Sequence, residues 1–327
     1  MSTLLKNFDI DTTPGQVAYK SATKEMAALF VISVIAEGYR EETKYLKCIK
    51  KICAQKGIVS ISLVIVNKRY ASKEAAIGHS NPLKRLDALM EWKQNCQPIP
   101  GYDQKDEYWL ICDRDNHSFD NNQYDELLEK ADAEGVKVVV SNPAFQIWLL
   151  LHLTPSLESY KLEQYPDSHD CIYNGVIPAI KTLYPHYSHG DIVMKVFEPL
   201  IASARKNTKT YEKTLEQLKD NIGTNITSIF NRIDEIAAKD VFESEYYDMS
   251  AIISSLRREL ADDNNHSAQE IKTVILNTLD KGMKTVDHVN IVFDLLCHMT
   301  VVKANTAVRD ETSPIYKVLQ ENNNVNT

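Results

Sequence analysis

Two carboxylates one residue apart, Asp113 and Asp115, directly follow an apolar stretch of the sequence. Residues 108–112 (Y-W-L-I-C) are rich in β-formers and predict a buried strand. Side chains at positions i and i+2 of an extended chain point the same way, so the two carboxylates should repel each other unless a cation lies between them. Hard oxygen ligands of this kind suit Mg²⁺ or Mn²⁺. The competing interpretation is a solvated strand end, where aspartate forms a turn and caps the next helix.

The elements that would position these carboxylates follow an alternating pattern. Apolar runs at residues 29–36, 58–66 and 136–140 predict three further strands, and stretches with helical periodicity separate them. Short apolar strands alternating with helices predict an α/β fold, in which about four strands form a mostly parallel sheet with flanking helices. After residue 154 the pattern becomes mainly helical. We therefore predict four regions: an N-terminal arm or short helix (1–28), an α/β domain (29–153), a helical part (154–238) and a helical extension with a disordered tail (239–327).

Polar residues follow each of the predicted strands. Glu37 follows the first strand, Asp113 and Asp115 follow a later one, and Ser141 follows the last. The carboxyl ends of parallel strands share one edge of a sheet, and ligands bind at that edge. Glu37 and the aspartate pair would supply enough oxygen ligands for one or two divalent ions. Such ions polarise a phosphoryl oxygen and lower the pKa of bound water.

Several basic residues are candidates for binding phosphate. Lys68 and Arg69 follow a strand on the same edge, where one of them would neutralise a phosphate. Arg205, Lys206 and Lys209 form the best basic cluster and would track a phosphate backbone. A solvated helix face is the alternative for this cluster.

His117 lies two residues after Asp115. Its imidazole is a candidate for orienting a substrate phosphate or for donating a proton. A loop histidine that caps the next helix is the alternative.

Composition restricts the class of protein. The net charge of −8 argues against a generic nucleic-acid binder, but a nuclease remains open because a carboxylate metal site itself contributes negative charge. No segment approaches the roughly 20 apolar residues of a membrane span. The N-terminus lacks the pattern of a signal peptide, and the six cysteines contain no C-x-x-C pair. A cytoplasmic protein without a membrane partner is the expectation.

Three stretches together resemble the RloB-like family of Toprim-domain proteins. In that family a strand ends in E-G-x-x-T-E-x-x-Y-F, a later one ends in D-R-D-x-H, and the next is followed by S-N-P-x-F-E-x-W-L-L-L-H. Here residues 37–46 read E-G-Y-R-E-E-T-K-Y-L, residues 113–117 read D-R-D-N-H and residues 141–152 read S-N-P-A-F-Q-I-W-L-L-L-H. The resemblance covers about residues 29–238, and residues 240–327 lie outside it.

The resemblance implies a Toprim-like sheet and a metal-dependent nuclease. By position, Glu37 would be the general acid or base and a metal neighbour, Asp113 and Asp115 would bind Mg²⁺, and Glu42 would be the second glutamate of the first motif. DNA and RNA, including tRNA, are both open as substrates. Family members are associated with phage-defence loci and abortive infection, and they are often encoded beside an ATPase of the ABC or AAA type.

Two departures from the family pattern bear on the activity. The glutamate of S-N-P-x-F-E is Gln146 here, and an amide is a poorer metal ligand than a carboxylate. Glu41 also stands where the family pattern has threonine. The alternative function is therefore a non-catalytic Toprim module with a degraded metal site, which would act as a sensor by binding a partner or nucleic acid.

A partner protein is expected because the chain has no G-x-x-x-x-G-K-[ST] nucleotide-binding loop. Any ATP-driven switching would come from the neighbouring ATPase. From residue 240 onward there are 14 Asp and Glu against 8 Lys and Arg. This acidic region would dock a basic face of that ATPase or a second copy of this chain. A solvated helical extension is the alternative.

Overall fold

Four parallel strands form the centre of a six-stranded sheet in the computed structural model. The structure describes residues 8–10, 29–38, 40–58, 60–68, 81–96, 104–242, 252–253, 255–256, 268–279 and 286–298. The strands are β1 (Phe8–Ile10), β2 (Leu29–Ala36), β3 (Ile61–Lys68), β4 (Gln104–Asp113), β5 (Val136–Asn142) and β6 (Gly223–Thr224). Their order is β1-β3-β2-β4-β5-β6, and both edge strands are antiparallel to their neighbours.

Helices connect the parallel strands and continue after them. The first four are α1 (Glu41–Gln55), α2 (Pro82–Asn95), α3 (Asn121–Ala133) and α4 (Gln146–Leu153). The later helices are α5 (Ser168–Asp170), α6 (Ile177–Leu183), α7 (Met194–Phe197), α8 (Ile201–Thr208), α9 (Leu215–Leu218), α10 (Thr227–Ala237), α11 (Ala268–Thr278) and α12 (Val286–His298). A π-helix spans Cys171–Val176, and 3₁₀ turns span Glu158–Tyr160, Leu162–Gln164 and Glu198–Leu200.

The alternation of side chains along the strands divides the core into two layers. On β2, Ile32 and Val34 point into one layer, which contains α1 and α4, while Val31 and Ile35 point into the other, which contains α2 and α3. Both faces of the parallel strands are therefore covered by helices, as their continuous apolar runs indicate. Every residue of α4 is buried, so this helix is fixed firmly against the sheet.

The mixed α/β architecture fits the predicted Toprim-like fold, with several corrections. The predicted strand at residues 108–112 begins four residues earlier, because its polar start pairs with β2. The N-terminal region contains a short strand, β1, where we predicted an arm or helix, and β6 was not predicted at all. Ser141 belongs to β5, although we expected it to follow that strand.

Some predictions fall outside the described residues or are limited by them. Arg69 lies outside the described residues, as does the predicted disordered tail at residues 321–327, and Lys68 is described only in its backbone. Within the described part of the chain, no helix combines the length and apolar character needed to cross a membrane.

Candidate active site

The chain reverses its direction of winding across the sheet at β2, and the candidate site lies there. The first parallel strand, β2, has β3 on one side and β4 on the other. The chain therefore passes from β2 to β3 on one side and then crosses back over β2 to β4 on the other. The gap between β2 and β4 is the position where open α/β sheets bind ligands. Glu37 directly follows β2 and Asp113 is the last residue of β4. The topology brings these two predicted residues to the same point.

Hydrogen bonds join Glu37 to Asp113. The Glu37 amide extends the ladder by donating to the Ile111 carbonyl at 2.8 Å. The Glu37 side chain then turns back, and its Oε2 accepts a hydrogen bond from the Asp113 amide at 3.0 Å. The backbone of β4 therefore holds the Glu37 carboxylate beside that of Asp113.

Asp113 also faces the start of α4. The amide of Phe145 donates to Asp113 Oδ1 at 2.8 Å, immediately before the helix begins at Gln146. A cis peptide bond between Asn142 and Pro143 precedes this turn. Exposed amides and the dipole at the beginning of a helix favour negative charge. Phe145 therefore fixes one oxygen of Asp113 and partly offsets its charge.

Two further carboxylates lie at the beginning of α1. Glu41 and Glu42 are buried, although both are charged residues in the first turn of a helix. The carboxylate of Glu42 packs directly against Gly38, where a Cβ atom would overlap it. The E-G pair after β2 therefore has a steric reason, because any residue larger than glycine at position 38 would displace the Glu42 carboxylate.

Burial and neighbouring carboxylates raise the pKa of two of these side chains, Asp113 and Glu42. Burial, followed by the negative charges of Glu42 and Glu37, raises the pKa of Asp113 well above its usual range. Burial and the charge of Glu41 raise the pKa of Glu42 to about 7. Like charges in a low-dielectric environment disfavour ionisation, and such perturbation is typical of functional sites. The cluster of Glu37, Glu41, Glu42 and Asp113 is named here the carboxylate cluster.

Asp115 is arranged differently from Asp113. Strand β4 ends at Asp113, and the chain then turns. The Asp115 carboxylate accepts hydrogen bonds from the His117 amide at 3.1 Å and from the Ser118 hydroxyl at 2.7 Å. The expectation that Asp113 and Asp115 point the same way requires an extended chain, and the turn removes that condition. Asp115 shapes the loop that carries the exposed His117.

The intervening Arg114 anchors this loop to the protein. It is fully buried, and its guanidinium donates to the Lys219 carbonyl at 3.2 Å and to the Asn121 side chain. The guanidinium also lies over the Tyr124 ring, 4.9 Å from its centroid. The buried arginine of D-R-D therefore anchors the loop to the interior of the protein.

A model of the RloB-like protein family matches residues 32–236, which is more than half of the chain. The chain belongs to the RloB-like protein family. No curated protein and no solved structure matches it. The matched segment contains β2 to α10 except for the first three residues of β2 and the last residue of α10, so the whole carboxylate cluster of this RloB-like chain lies inside it.

The two departures from the family pattern contact each other in this RloB-like chain. The amide nitrogen of Gln146 donates to Glu41 Oε2. Glu41 Oε1 accepts from the Tyr187 hydroxyl at 2.7 Å and from the Gly190 amide at 2.9 Å. Position 146 thus lacks the family's carboxylate, but the side chain that it contacts, Glu41, supplies one.

Sequence reasoning missed the functional position of Glu41 and its partner Tyr187. A glutamate in the first turn of a helix is ordinarily a solvated residue that complements the dipole. Burial and the neighbouring Glu41 raise the pKa of Tyr187, so its hydroxyl stays protonated and can donate. The signal that could have indicated this contact was the coincidence of an extra carboxylate at position 41 with a lost one at position 146.

Other predicted residues are not brought to the carboxylate cluster. Buried Ser141 directs its hydroxyl to Thr224, 2.9 Å away. Arg205 forms ion pairs with Asp234 at 2.6 Å and Asp240 at 2.9 Å, so its charge is already balanced within the fold. The basic cluster also lies at the wrong end of α4. Asn207, between Lys206 and Lys209, donates to the carbonyls of Leu151 and Thr154 at the end of that helix, whereas the carboxylate cluster lies at its beginning.

The donor set fits the divalent cation that the family resemblance implies. Carboxylate oxygens are the ligands that Mg²⁺ prefers, and the raised pKa values of Asp113 and Glu42 arise partly from mutual repulsion that a cation would relieve. Glu37 and Asp113 are the residues placed to hold the ion, and Glu42 lies beside them.

A second group of potential ligands lies outside this cluster. Among the described residues, Asp167, His169 and Asp170 offer ligand atoms within 4.8 Å of one another. Both aspartates are already used locally. Asp167 accepts from the Asp170 amide at 2.8 Å, and Asp170 accepts from the Asn174 side chain at 3.2 Å. The first contact caps α5 and the second joins two side chains one helical turn apart, so we assign no metal to this group.

Proposed function

We propose that this RloB-like protein is a metal-dependent nuclease that hydrolyses phosphodiester bonds of DNA or RNA. The observation that carries the proposal is the carboxylate cluster between β2 and β4, in which burial and like charges raise the pKa of Asp113 and Glu42. A bound Mg²⁺ or Mn²⁺ would polarise a phosphoryl oxygen and lower the pKa of a bound water.

The chain's own residues have separate roles in this proposal. Asp113 and Glu37 would hold the cation, and Asp115 fixes the adjoining loop that carries His117. Glu37 also acts as the general acid or base, since it is only partly buried and the Asp113 amide fixes its orientation. His117 is exposed on the same loop and would contact the substrate phosphate. Gln146 and Tyr187 position Glu41.

The test of the proposal is cleavage of DNA and RNA by the purified protein, with Mg²⁺ or with EDTA. We expect Asp113→Ala to lower the cleavage rate at least about 100-fold, because it removes a ligand of the ion that polarises the phosphate. Asp106→Ala is the matched control, since Asp106 is an exposed aspartate on the same strand. Equal activity of the wild-type and Asp113→Ala proteins would reject the assignment.

A second candidate function is a sensor that binds without cleaving. The observation in its favour is the uncharged Gln146. Its contact with Glu41 weighs against a degraded site, because the carboxylate charge is retained next to the missing one. A sensor would bind nucleic acid or a partner protein, show no metal-dependent cleavage and bind no divalent cation in a calorimetric titration.

We also propose that the nuclease is the effector of a phage-defence system with a partner ATPase of the ABC or AAA type. Two arguments support this: the family resemblance, and the excess of acidic residues after residue 240. The experiment is co-purification of that ATPase with the full chain and with a chain lacking residues 240–327. Undiminished binding by the shortened, folded protein would exclude the C-terminal region as the docking surface.

A further inference from the structure

Four exposed rings lie in a row on the surface beside the carboxylate cluster. The ring centroids of His117 and His169 are 5.7 Å apart, those of His169 and Tyr173 are 4.7 Å apart, and those of Tyr173 and His189 are 5.7 Å apart. Tyr173 is 50% exposed, and among the described residues it is one of two large hydrophobic residues with high exposure. These four side chains are named here the aromatic strip.

The aromatic strip borders the candidate active site at both ends. At one end, the amide of His117 donates to Asp115 at 3.1 Å. At the other end, Gly190 follows His189 and donates its amide to Glu41 at 2.9 Å. The strip therefore runs from the D-x-D loop to the segment that holds the carboxylate cluster from the opposite side.

Hydrogen bonds and close packing hold the segments that carry the strip. The Ser168 hydroxyl accepts from the Asn116 amide at 3.0 Å, and the Ser168 amide donates to the Asn116 side chain at 3.0 Å. These bonds fix the loop of His117 to the turn of His169. Tyr173 projects from the π-helix Cys171–Val176, a rare conformation that is frequent at functional sites. Gly175 allows this helix to pack closely, because a Cβ atom there would lie 2.6 Å from the Tyr165 ring.

The spacing of the rings determines what they can bind. A flat ring held between two others needs roughly 7 Å between their centres, twice the contact distance of about 3.5 Å. The separations of 4.7–5.7 Å are shorter, so a ligand ring would lie on the outer surface of the strip. Arg40 is exposed near Gly190 and supplies a positive charge at one end of the strip.

We propose that the aromatic strip is a stacking platform for unpaired bases, so that the substrate is a single-stranded nucleic acid whose backbone passes the carboxylate cluster. Exposed aromatic and imidazole rings stack on unpaired bases with little dependence on sequence. The bases of a duplex are already stacked on each other and hide their faces. This inference rests on the proposed nuclease function, since it defines the substrate class of the same site.

The experiment measures binding by the full chain in EDTA, where the proposed cleavage cannot occur. The probes are a single-stranded RNA of mixed sequence, the matching single-stranded DNA and their duplexes, each carrying 2-aminopurine, whose fluorescence falls on stacking. We expect both quenching and tighter binding with a single strand. Tyr173→Ala should weaken binding about 5- to 100-fold, the cost of one lost base stack. Tyr173→Phe is the matched control, because it keeps the ring, and it should bind as the wild type does.

Each outcome separates the platform from the nuclease. Unchanged binding by Tyr173→Ala, equal losses in the alanine and phenylalanine variants, or a preference for duplex would overturn the platform. Binding that depends on Tyr173, without metal-dependent cleavage, would uphold the platform and refute the nuclease. The RNA and DNA arms identify which single strand is preferred, and a preference for either supports the platform.

Discussion

The two ends of strand β4 hold carboxylates in opposite electrostatic environments. Near its beginning, Glu107 accepts hydrogen bonds from Arg232 at 2.7 Å and from Lys137 at 2.8 Å. Burial alone would raise the pKa of Glu107, but these two cationic donors lower it below its usual value. At the other end, Asp113 has Glu42 and Glu37 as neighbours, and its pKa is raised.

The difference shows which charges the fold balances by itself. Glu107 has two cationic partners from the same chain, which is the usual condition for a partly buried charge. Around Asp113 the negative charges exceed what nearby cations offset, so a proton or an external cation has to neutralise them. A stable fold that keeps such an arrangement at a ligand-binding edge has the properties of a functional site.

The largest expected effect comes from adding a carboxylate near Asp113, at the end of β4 where nearby cations do not offset the negative charges. Gln146→Glu would place a buried carboxylate against Glu41 in place of the amide donor. We expect it to reduce the free energy of unfolding by about 3 kcal/mol at pH 8, and by less at pH 5, because acid relieves the repulsion between two adjacent carboxylates. Urea denaturation at both pH values measures this.

The control for that variant is Gln146→Met, which removes the amide without adding charge. Its stability cost should be smaller and similar at both pH values. If Gln146→Glu keeps its stability and gains metal affinity and activity, position 146 is a metal ligand in this chain, and the Glu41–Gln146 contact is not what determines its identity.

The second effect is a pH dependence of stability without divalent cations. The folded state raises the pKa of Glu42 to about 7, so it favours the protonated form. This contribution is complete below the unfolded pKa of about 4.3 and is lost as pH rises through 7. We expect the titration of Glu42 to lower the free energy of unfolding by roughly 1 kcal/mol between pH 6.5 and 8.5 in EDTA.

Glu42→Gln is the control, and it should flatten this profile. The contribution of buried His152 to stability depends on pH in the opposite direction and over a more acidic range. Burial lowers its pKa to about 3, so its contribution is present above pH 6.5 and is lost as the solution becomes more acidic. A profile that rises between pH 6.5 and 8.5 would contradict the assignment of raised pKa values to the carboxylate cluster.

The smallest expected effect on stability comes from the Glu107 end of β4, where cationic side chains offset the negative charge. Glu107→Gln keeps the shape of the side chain but removes the ion pairs with Lys137 and Arg232. Because Arg232 also pairs with Glu235 at 2.8 Å, we expect a loss of only about 0.5 kcal/mol, independent of pH between 6.5 and 8.5. Chemical denaturation checks the loss, and a cost above that of Gln146→Glu would reverse the comparison.

The parallel sheet could be predicted because its determinants are local. Apolar runs predicted β2 to β5. The start of α2 also has a local determinant, because the Asn81 side chain accepts from the Leu83 amide at 2.9 Å. The edge strands escaped prediction because β1 and β6 have only three and two residues and no apolar period of their own.

The carboxylate cluster was only partly predictable from the sequence. Glu37 and Asp113 could be placed together because both follow parallel strands, and the structure joins them by a hydrogen bond. The turn after β4, which directs the Asp115 carboxylate into its own loop, was not visible in the i, i+2 spacing. The contact of Glu41 with Gln146 joins residues 105 positions apart, and no local pattern encodes it.

Calorimetric titration with Mg²⁺ and Mn²⁺ at pH 7.5 tests most directly whether the carboxylate cluster binds a divalent cation. We predict binding by the wild-type protein with release of protons, because the ion ionises groups whose pKa is raised. Buffers of different ionisation enthalpy measure that release. Asp113→Asn should weaken binding at least about 10-fold, and Glu107→Gln should bind as the wild type does. Absence of binding by the folded wild-type protein, or equal affinity in Asp113→Asn, would contradict the assignment.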